Sequence, residues 1–299
     1  MNLTMLKLPD IFKLRLKQVW LLIKTAFIAW QDDYAQSMGA ALAYYTMFSI
    51  APLLLIAISI AGLVFGEDAA RGEIAGQLQR LLGEQGAIVV EALVQSVNKP
   101  TESWVTTFIG VGLVMIGATS VFGELQNALD RIWRVTEKQE IGGFLYALQS
   151  RLLSFGMVLG VGFILMVSLI LSAGLSALGK WWSPLFAGWE TAAHFANIGL
   201  SFTLTTGMFA LIFKIMPRVR IEWYEVWIGA AITAIMFTLG QFLIGFYIGT
   251  SGVASSFGAA GSLVALLVWV YYSAQVFLMG AELTKAYSFI FGSRKNEKL

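Results

Sequence analysis

A run of 56 residues without a single charged side chain, Val226 to Ala281, constrains this fold most. A helix needs about 20 apolar residues to cross the hydrocarbon core of a bilayer, so the run is too long for one span. Its middle, "GTSGVASSFGAAGS" (249–262), is rich in Gly and Ser and divides it. The run therefore predicts two membrane spans, at about 226–248 and 262–282.

Charge-free intervals elsewhere predict four more spans. Only 13% of the residues are charged and 58% are hydrophobic, whereas soluble domains are about 25% charged. We therefore predict an all-α polytopic membrane protein with a bundle of six transmembrane helices. Spans 1 to 4 lie at about 41–65, 104–122, 152–176 and 195–215, and the two spans above are 5 and 6.

The positions of Lys and Arg predict the orientation of the bundle. Sixteen of the 20 fall in the N-terminal segment, the turns after spans 2 and 4, and the C-terminal tail, which all lie on one side. Cytoplasmic segments carry such an excess, so both termini are predicted to be cytoplasmic.

The segments outside the spans complete the predicted organisation. Residues 8–30 have an apolar stripe beside lysines, which predicts an amphipathic helix on the cytoplasmic leaflet. Residues 68–99 have two apolar sets at helical spacing around "GEQG", which predicts a periplasmic helical hairpin. The predicted divisions are a cytoplasmic amphipathic segment (1–34), a six-span membrane domain (35–290) and a cytoplasmic tail (291–299).

Polar residues inside spans 1, 5 and 6 indicate either a path for a substrate or a network of hydrogen bonds. Pro52 has no N–H, so it should kink span 1 and free the carbonyl of Phe48. A polar path and a dry interface with interhelical hydrogen bonds, worth about 0.6 kcal/mol each, both remain open. The residues predicted to line the path are Tyr44, Tyr45, Thr46, Ser49, Pro52, Gln241, Trp269, Tyr271, Tyr272 and Gln275.

A second polar group follows span 2 in "FGELQNALDRIWRV" (122–135), which we call the elbow. One interpretation is an interfacial helix stabilised by i, i+4 pairs such as Asp130 with Arg134. The functional interpretation is a cytoplasmic gate or a site that binds headgroups. The predicted gate residues are Glu124, Gln126, Asn127, Asp130, Arg131 and Glu282.

Three segments together resemble the YihY/BrkB family of bacterial inner-membrane proteins, over about residues 25–290. They are "AALAYYTMFSIAPLLLI" (40–56), "GATSVFGELQNALDRIW" (117–133) and "GSLVALLVWVYYSAQVFLMGAELT" (261–284). The resemblance implies a six-span inner-membrane protein, and some members are tied to virulence and serum resistance. Members have often been labelled ribonuclease BN.

The residues do not support that ribonuclease label. A metal-dependent nuclease needs converging His or carboxylate ligands, but His194 is the sole histidine and lies near the predicted outer end of span 4. With no Cys and no phosphate-binding loop, thiol chemistry and ATP-driven transport also lack a motif.

We therefore expect no enzyme, no metal, no cofactor and no nucleic-acid partner. The favoured function is a transporter or exporter that moves a solute or lipid through a polar cavity between spans 1, 5 and 6, among membrane lipids. The alternative is a non-transport envelope scaffold or assembly factor. Substrate, energy coupling and oligomeric state stay open.

Overall fold

The computed structural model describes residues 8–66, 120–135, 189–250 and 261–295, with isolated positions between 68 and 91. These ranges contain helices and no β-strand. The predicted all-α class is confirmed for this part of the chain. The helices are α1 (Leu8–Asp32), α2 (Ala35–Phe65), α3 (120–132), α4 (Trp189–Ile215), α5 (Trp223–Thr250) and α6 (Gly261–Ile290).

Three of these helices are long and apolar enough to cross a bilayer. The qualifying stretches are Ile198–Ile215 in α4, Trp223–Ile244 in α5 and Leu263–Ile290 in α6. They coincide with predicted spans 4, 5 and 6. Span 1 lies within α2, which stays one helix through Pro52. Most of span 2, all of span 3 and the predicted hairpin lie outside the described residues, so a total of six spans stays a prediction.

Helix α6 is the centre of the described bundle, because it packs against α1, α2 and α5. Its contact with α5 is close and reciprocal. Gly229 of α5 lies under Thr284, and Gly280 of α6 lies under Thr233, so that a methyl group on either glycine would collide with the threonine opposite. Each threonine hydroxyl donates to the carbonyl four residues earlier at 2.7 Å, so both threonine hydroxyls are satisfied.

Aromatic side chains fill the core where α4, α5 and α6 meet. Phe213 of α4 is 5.1 Å from Phe277 of α6 between ring centroids, and Phe209 is 5.5 Å from Phe237 of α5. Leu129 and Ile132 of α3 belong to the same cluster and are fully buried. The apolar edge of the elbow therefore anchors α3 to the bundle and leaves its polar side free to form a site.

The amphipathic segment at the N-terminus is helical as predicted. Its buried side chains are Leu22 and Ala26, which pack against the C-terminal part of α6. By contrast, Val19, Ile23 and Phe27 of the predicted apolar stripe are about half exposed, at 53%, 48% and 47%. These three residues of the stripe thus point away from α6, and the predicted contact with the lipid surface stays a prediction.

Candidate functional site

The elbow is held against the connection between α4 and α5 by side chains on its polar side. Gln126 Nε2 donates to the carbonyl of Met216 at 3.2 Å. Asp130 Oδ1 accepts the backbone N–H of Arg218 at 2.9 Å, and its Oδ2 lies 3.4 Å from Arg218 Nε. Arg218 is therefore the structural ion-pair partner of Asp130, from 88 residues further along the chain.

The elbow helix ends in a left-handed turn at Arg134, whose φ is 48°. The N–H of Val135 bonds the carbonyl of Asp130 at 2.9 Å, and the N–H of Arg134 bonds that of Arg131 at 3.0 Å. This is the hydrogen-bond pattern of a Schellman motif, in which glycine is the usual left-handed residue. An arginine here carries a backbone cost of about 1–2 kcal/mol.

These residues line a cavity of about 520 Å³, which we call the elbow cavity. Arg131 also lies over the ring of Tyr34 at 5.5 Å, a cation–π contact to the turn between α1 and α2. Tyr34 itself has a left-handed backbone, with φ 56°. The residues of the elbow cavity are Asn127, Asp130, Arg131, Arg134, Val135 and Arg218.

A group of three buried ionisable residues, the buried triad, lies where α1, α2 and α6 meet. Lys285 Nζ is 3.7 Å from Asp33 Oδ2 and 4.0 Å from Glu282 Oε2. The side chains of Lys285 and Glu282 are 3% and 0% exposed. The two carboxyl groups lie close enough to interact directly, and Arg134 attracts Glu282 electrostatically. Arg134 thus belongs to the elbow cavity and also acts on the buried triad.

Asp130 is the acid of the elbow cavity whose ionisation the structure perturbs. Partial burial raises the pKa of Asp130, and the N–H and guanidinium of Arg218 act in the opposite direction. Burial has the larger effect, because it removes water from the charged form. Keeping Asp130 ionised here therefore costs free energy, and Arg218 offsets only part of that cost.

The predicted path residues lie along α2, α5 and α6 in different surroundings. Gln275 Nε2 donates to the carbonyls of Ala35 and Gln36 at 3.3 and 3.4 Å and rests on Gly39, so α2 and α6 touch directly there. Tyr272 rests on Gly240 of α5.

The remaining path residues are distributed over the surface and the interior. Trp269 stands edge-on to Phe237 with centroids 6.3 Å apart. Ser49 is buried, Thr46 and Gln241 are half-buried, and Tyr44, Tyr45 and Tyr271 are exposed. The side chain of Pro52 lies outside the described ones. The prediction that these residues share a cavity stays a prediction.

The predicted gate residues have four different placements. Asn127, Asp130 and Arg131 come together in the elbow cavity. Gln126 is a buried anchor, Glu282 belongs to the buried triad, and Glu124 is half-buried.

Sequence reasoning missed Asp33, Arg134, Arg218 and Lys285 as site residues. A signal existed for Lys285, since a charged residue three positions after Glu282 at a span end lies on the same helix side. The pairing of Arg218 with Asp130 had no local signal.

A protein-family model described as "Virulence factor BrkB" matches residues 26–297. The chain belongs to the BrkB family. Among its BrkB relatives, a UPF0761 membrane protein of Pseudomonas aeruginosa (strain LESB58) is 27% identical over 257 residues, which is 84% of this chain and 59% of the relative. A UPF0761 membrane protein of Acinetobacter baylyi is 23% identical over 258 residues, 86% of this chain and 59% of the relative.

The chain spans about three-fifths of the length of these curated BrkB relatives. Their names state a membrane protein and no activity. No solved structure matches the chain. The family and the apolar helices together establish a membrane protein of the BrkB family.

Proposed function

We propose that this BrkB-family protein is an inner-membrane transporter or exporter, with both termini cytoplasmic, that moves a solute or lipid along a path between α2, α5 and α6. The observation that carries the proposal is the buried triad at the predicted cytoplasmic end of that path. Ionisable residues within membrane helices are costly and most often serve ion or substrate movement. The proposal assigns no catalytic residue, metal or cofactor.

The energetics of the buried triad support a functional role over a purely structural one. Moving each ion out of water costs several kcal/mol, and the attraction at ion-pair distances repays this only with good hydrogen bonding. The contacts of Lys285, at 3.7 and 4.0 Å, are longer than hydrogen bonds. Apolar side chains would hold the same helices together at no greater cost, so stability alone does not account for the charges.

The elbow gives the proposed path a gate. Arg134 lines the elbow cavity and attracts Glu282 of the buried triad, so a ligand that changes the charge around Arg134 changes the forces on α6. Gln275 and Tyr271 follow Glu282 along α6 toward the middle of the span. We propose that the gate opens and closes access to these residues.

One observation favours the alternative, an envelope scaffold without transport. At Gln275 the helices α2 and α6 are in direct hydrogen-bonded contact. A scaffold would keep this contact closed at all times, whereas a transporter must open it during its cycle. Access of water to this interface distinguishes the two functions.

The experiment uses single cysteines, since the natural chain has none. Tyr45→Cys, Ser49→Cys and Gln275→Cys are each reconstituted in oriented vesicles, with Leu54→Cys as the control on the same helix as Ser49. A small, water-soluble thiol reagent is added on one side and then on the other. Transport predicts reaction at Ser49, which is buried in this conformation, from both sides, and slow reaction at Leu54.

A scaffold predicts no reaction at Ser49 or Gln275 from either side. That result, in variants that keep the wild-type elution profile in detergent, refutes the proposed path. A flux assay on the same vesicles, with fluorescent lipid analogues quenched from outside, then measures whether lipid is what moves.

A further inference from the structure

We propose that the elbow cavity binds a phosphate-class oxyanion, held by Arg131, Arg134 and Arg218 with the amide of Asn127 as a further donor. This inference concerns binding at the gate. It rests on the geometry of the elbow cavity and holds whether or not the protein transports.

The charge of the lining is the first argument. Three guanidinium groups and one carboxylate line the elbow cavity, and that carboxylate, Asp130, is engaged by Arg218 through an ion pair and a backbone hydrogen bond. The described residues of the lining therefore carry an excess of two positive charges. Like charges gathered around one space repel each other, and an anion of charge near −2 in that space removes the repulsion.

The choice of arginine for all three cations is the second argument. A guanidinium presents parallel N–H donors in a rigid fork that matches two oxygens of a phosphate. Two of the forks are already oriented by other contacts. Arg131 lies over the ring of Tyr34 at 5.5 Å, and Arg218 is fixed by Asp130. Orientation in advance lowers the entropy cost of binding an anion between them.

The backbone at Arg134 is the third argument. Its φ of 48° is a conformation that glycine adopts without strain, so the arginine contributes a side chain at a position where its backbone is unfavourable. Tyr34, under Arg131, has the same kind of strain. Strained non-glycine residues cluster at ligand sites. Two of them therefore border one arginine-lined space.

The volume of the elbow cavity limits the size of ligand that fits in it. A volume of about 520 Å³ lies within the range of about 300–1,000 Å³ typical of small-molecule sites. It exceeds what a bare phosphate fills, so the elbow cavity has room for an organic group attached to the phosphate. Either a soluble phosphate ester or the headgroup of an anionic lipid has this chemistry, and the experiment separates them.

The test measures binding to the full chain purified in an uncharged detergent. Thermal unfolding is followed while inorganic phosphate or glycerol phosphate replaces chloride at constant ionic strength, because a ligand that binds the folded state raises the unfolding temperature. In parallel, protein in nanodiscs of phosphatidylcholine is compared with protein in nanodiscs that also contain phosphatidylglycerol. The variants are Arg131→Gln, Arg134→Gly and Asp130→Asn, with Arg220→Gln as the control, since Arg220 is exposed on the same connection as Arg218.

The proposal predicts saturable stabilisation by phosphate compounds, by anionic lipid, or by both. Arg131→Gln and Arg134→Gly should each weaken binding by about tenfold or more, the effect of losing a charged hydrogen-bond partner. Asp130→Asn keeps the hydrogen bond from the Arg218 backbone N–H at Oδ1 and releases the Arg218 guanidinium from its ion pair. The loss of the competing negative charge should outweigh the lost orientation of Arg218, so binding should strengthen. Arg220→Gln should bind as the wild type does.

Stabilisation by the soluble compounds identifies a soluble ester, and stabilisation only in the anionic nanodiscs identifies a headgroup. No saturable stabilisation by any probe overturns the proposal, and so does binding that falls equally in Arg220→Gln. Arg134→Gly keeps the test valid if Arg131→Gln does not fold, since glycine suits the backbone there. If no phosphate compound binds, the thiol reactivity expected at Ser49 is unaffected. The binding proposal and the transport proposal can therefore fail independently.

Discussion

Replacing Lys285 with Met should destabilise the protein far more than replacing Glu282 with Gln. Lys285 lies 3.7 Å from Asp33 and 4.0 Å from Glu282, so with all three groups ionised the buried triad carries one net negative charge. At an effective dielectric constant of about 20, each attraction is about 4 kcal/mol, and the repulsion between nearby carboxylates is similar. The two substitutions change this balance in opposite directions.

Lys285→Met removes both attractions and leaves two buried carboxylates beside each other. We expect a loss of about 3–5 kcal/mol in the free energy of unfolding, the range for leaving buried charge uncompensated. Glu282→Gln removes the attraction of Glu282 to Lys285, the weaker attraction to Arg134 and the repulsion from Asp33, and it leaves the Asp33–Lys285 pair neutral overall. We expect a change within about 1 kcal/mol for this variant.

The double variant tests directly whether charge balance governs the buried triad. Adding Glu282→Gln to Lys285→Met removes the repulsion that the first substitution left, so the double variant should be more stable than Lys285→Met alone. The measurement is unfolding in an uncharged detergent followed by tryptophan fluorescence at about pH 7. If Glu282→Gln is as damaging as Lys285→Met, or if the double variant is the least stable, charge balance does not govern the buried triad.

Three further outcomes follow from the packing and the elbow. Gly280→Ala should cost about 1–3 kcal/mol because its methyl group meets Thr233, while Gly207→Ala, whose methyl group meets nothing within 4 Å, should be neutral or stabilising in the same unfolding assay. Arg134→Gly should raise the free energy of unfolding by about 1 kcal/mol through relief of its left-handed strain; a loss of stability would show that the Arg134 side chain contributes more than its backbone costs. Burial raises the pKa of Asp130 in the folded protein above that of an unfolded aspartate. Asp130 therefore stabilises the folded state most at pH values below the unfolded pKa, and this stabilisation is lost as the pH rises through the folded pKa. Asp130→Asn should therefore gain stability relative to the wild type between about pH 4 and pH 7, and a constant difference over that range would contradict the assignment.

The sequence was sufficient for features that depend on local pattern. Long charge-free runs located the apolar stretches of α4, α5 and α6, because bilayer thickness sets a length that composition reveals. The sequence grouped Asn127, Asp130 and Arg131 among the predicted gate residues of the elbow, and these three line one cavity. Features within one helix were therefore predictable.

Contacts between distant segments were not predictable in the same way. The expected pair of Asp130 with Arg134 assumed that the helix continues, but α3 ends in a left-handed turn, and Asp130 pairs with Arg218. Asp33 was treated as the end of a cytoplasmic segment, and its burial against Lys285 depends on how α1 and α2 pack on α6.

The glycine–threonine contacts between α5 and α6 have a mechanical consequence. Thr284 packs against Gly229, and Thr233 packs against Gly280 in the opposite direction. Sliding either helix along the other would therefore bring a threonine side chain into a steric collision. We therefore expect the two helices to move as one unit. The interface of α6 with α2 is held by the weaker hydrogen bonds of Gln275, and it offers the lower resistance to shear. We therefore expect any opening of the bundle to separate the α5–α6 unit from α2 along this line, with the Asp33–Lys285 pair at one end of it.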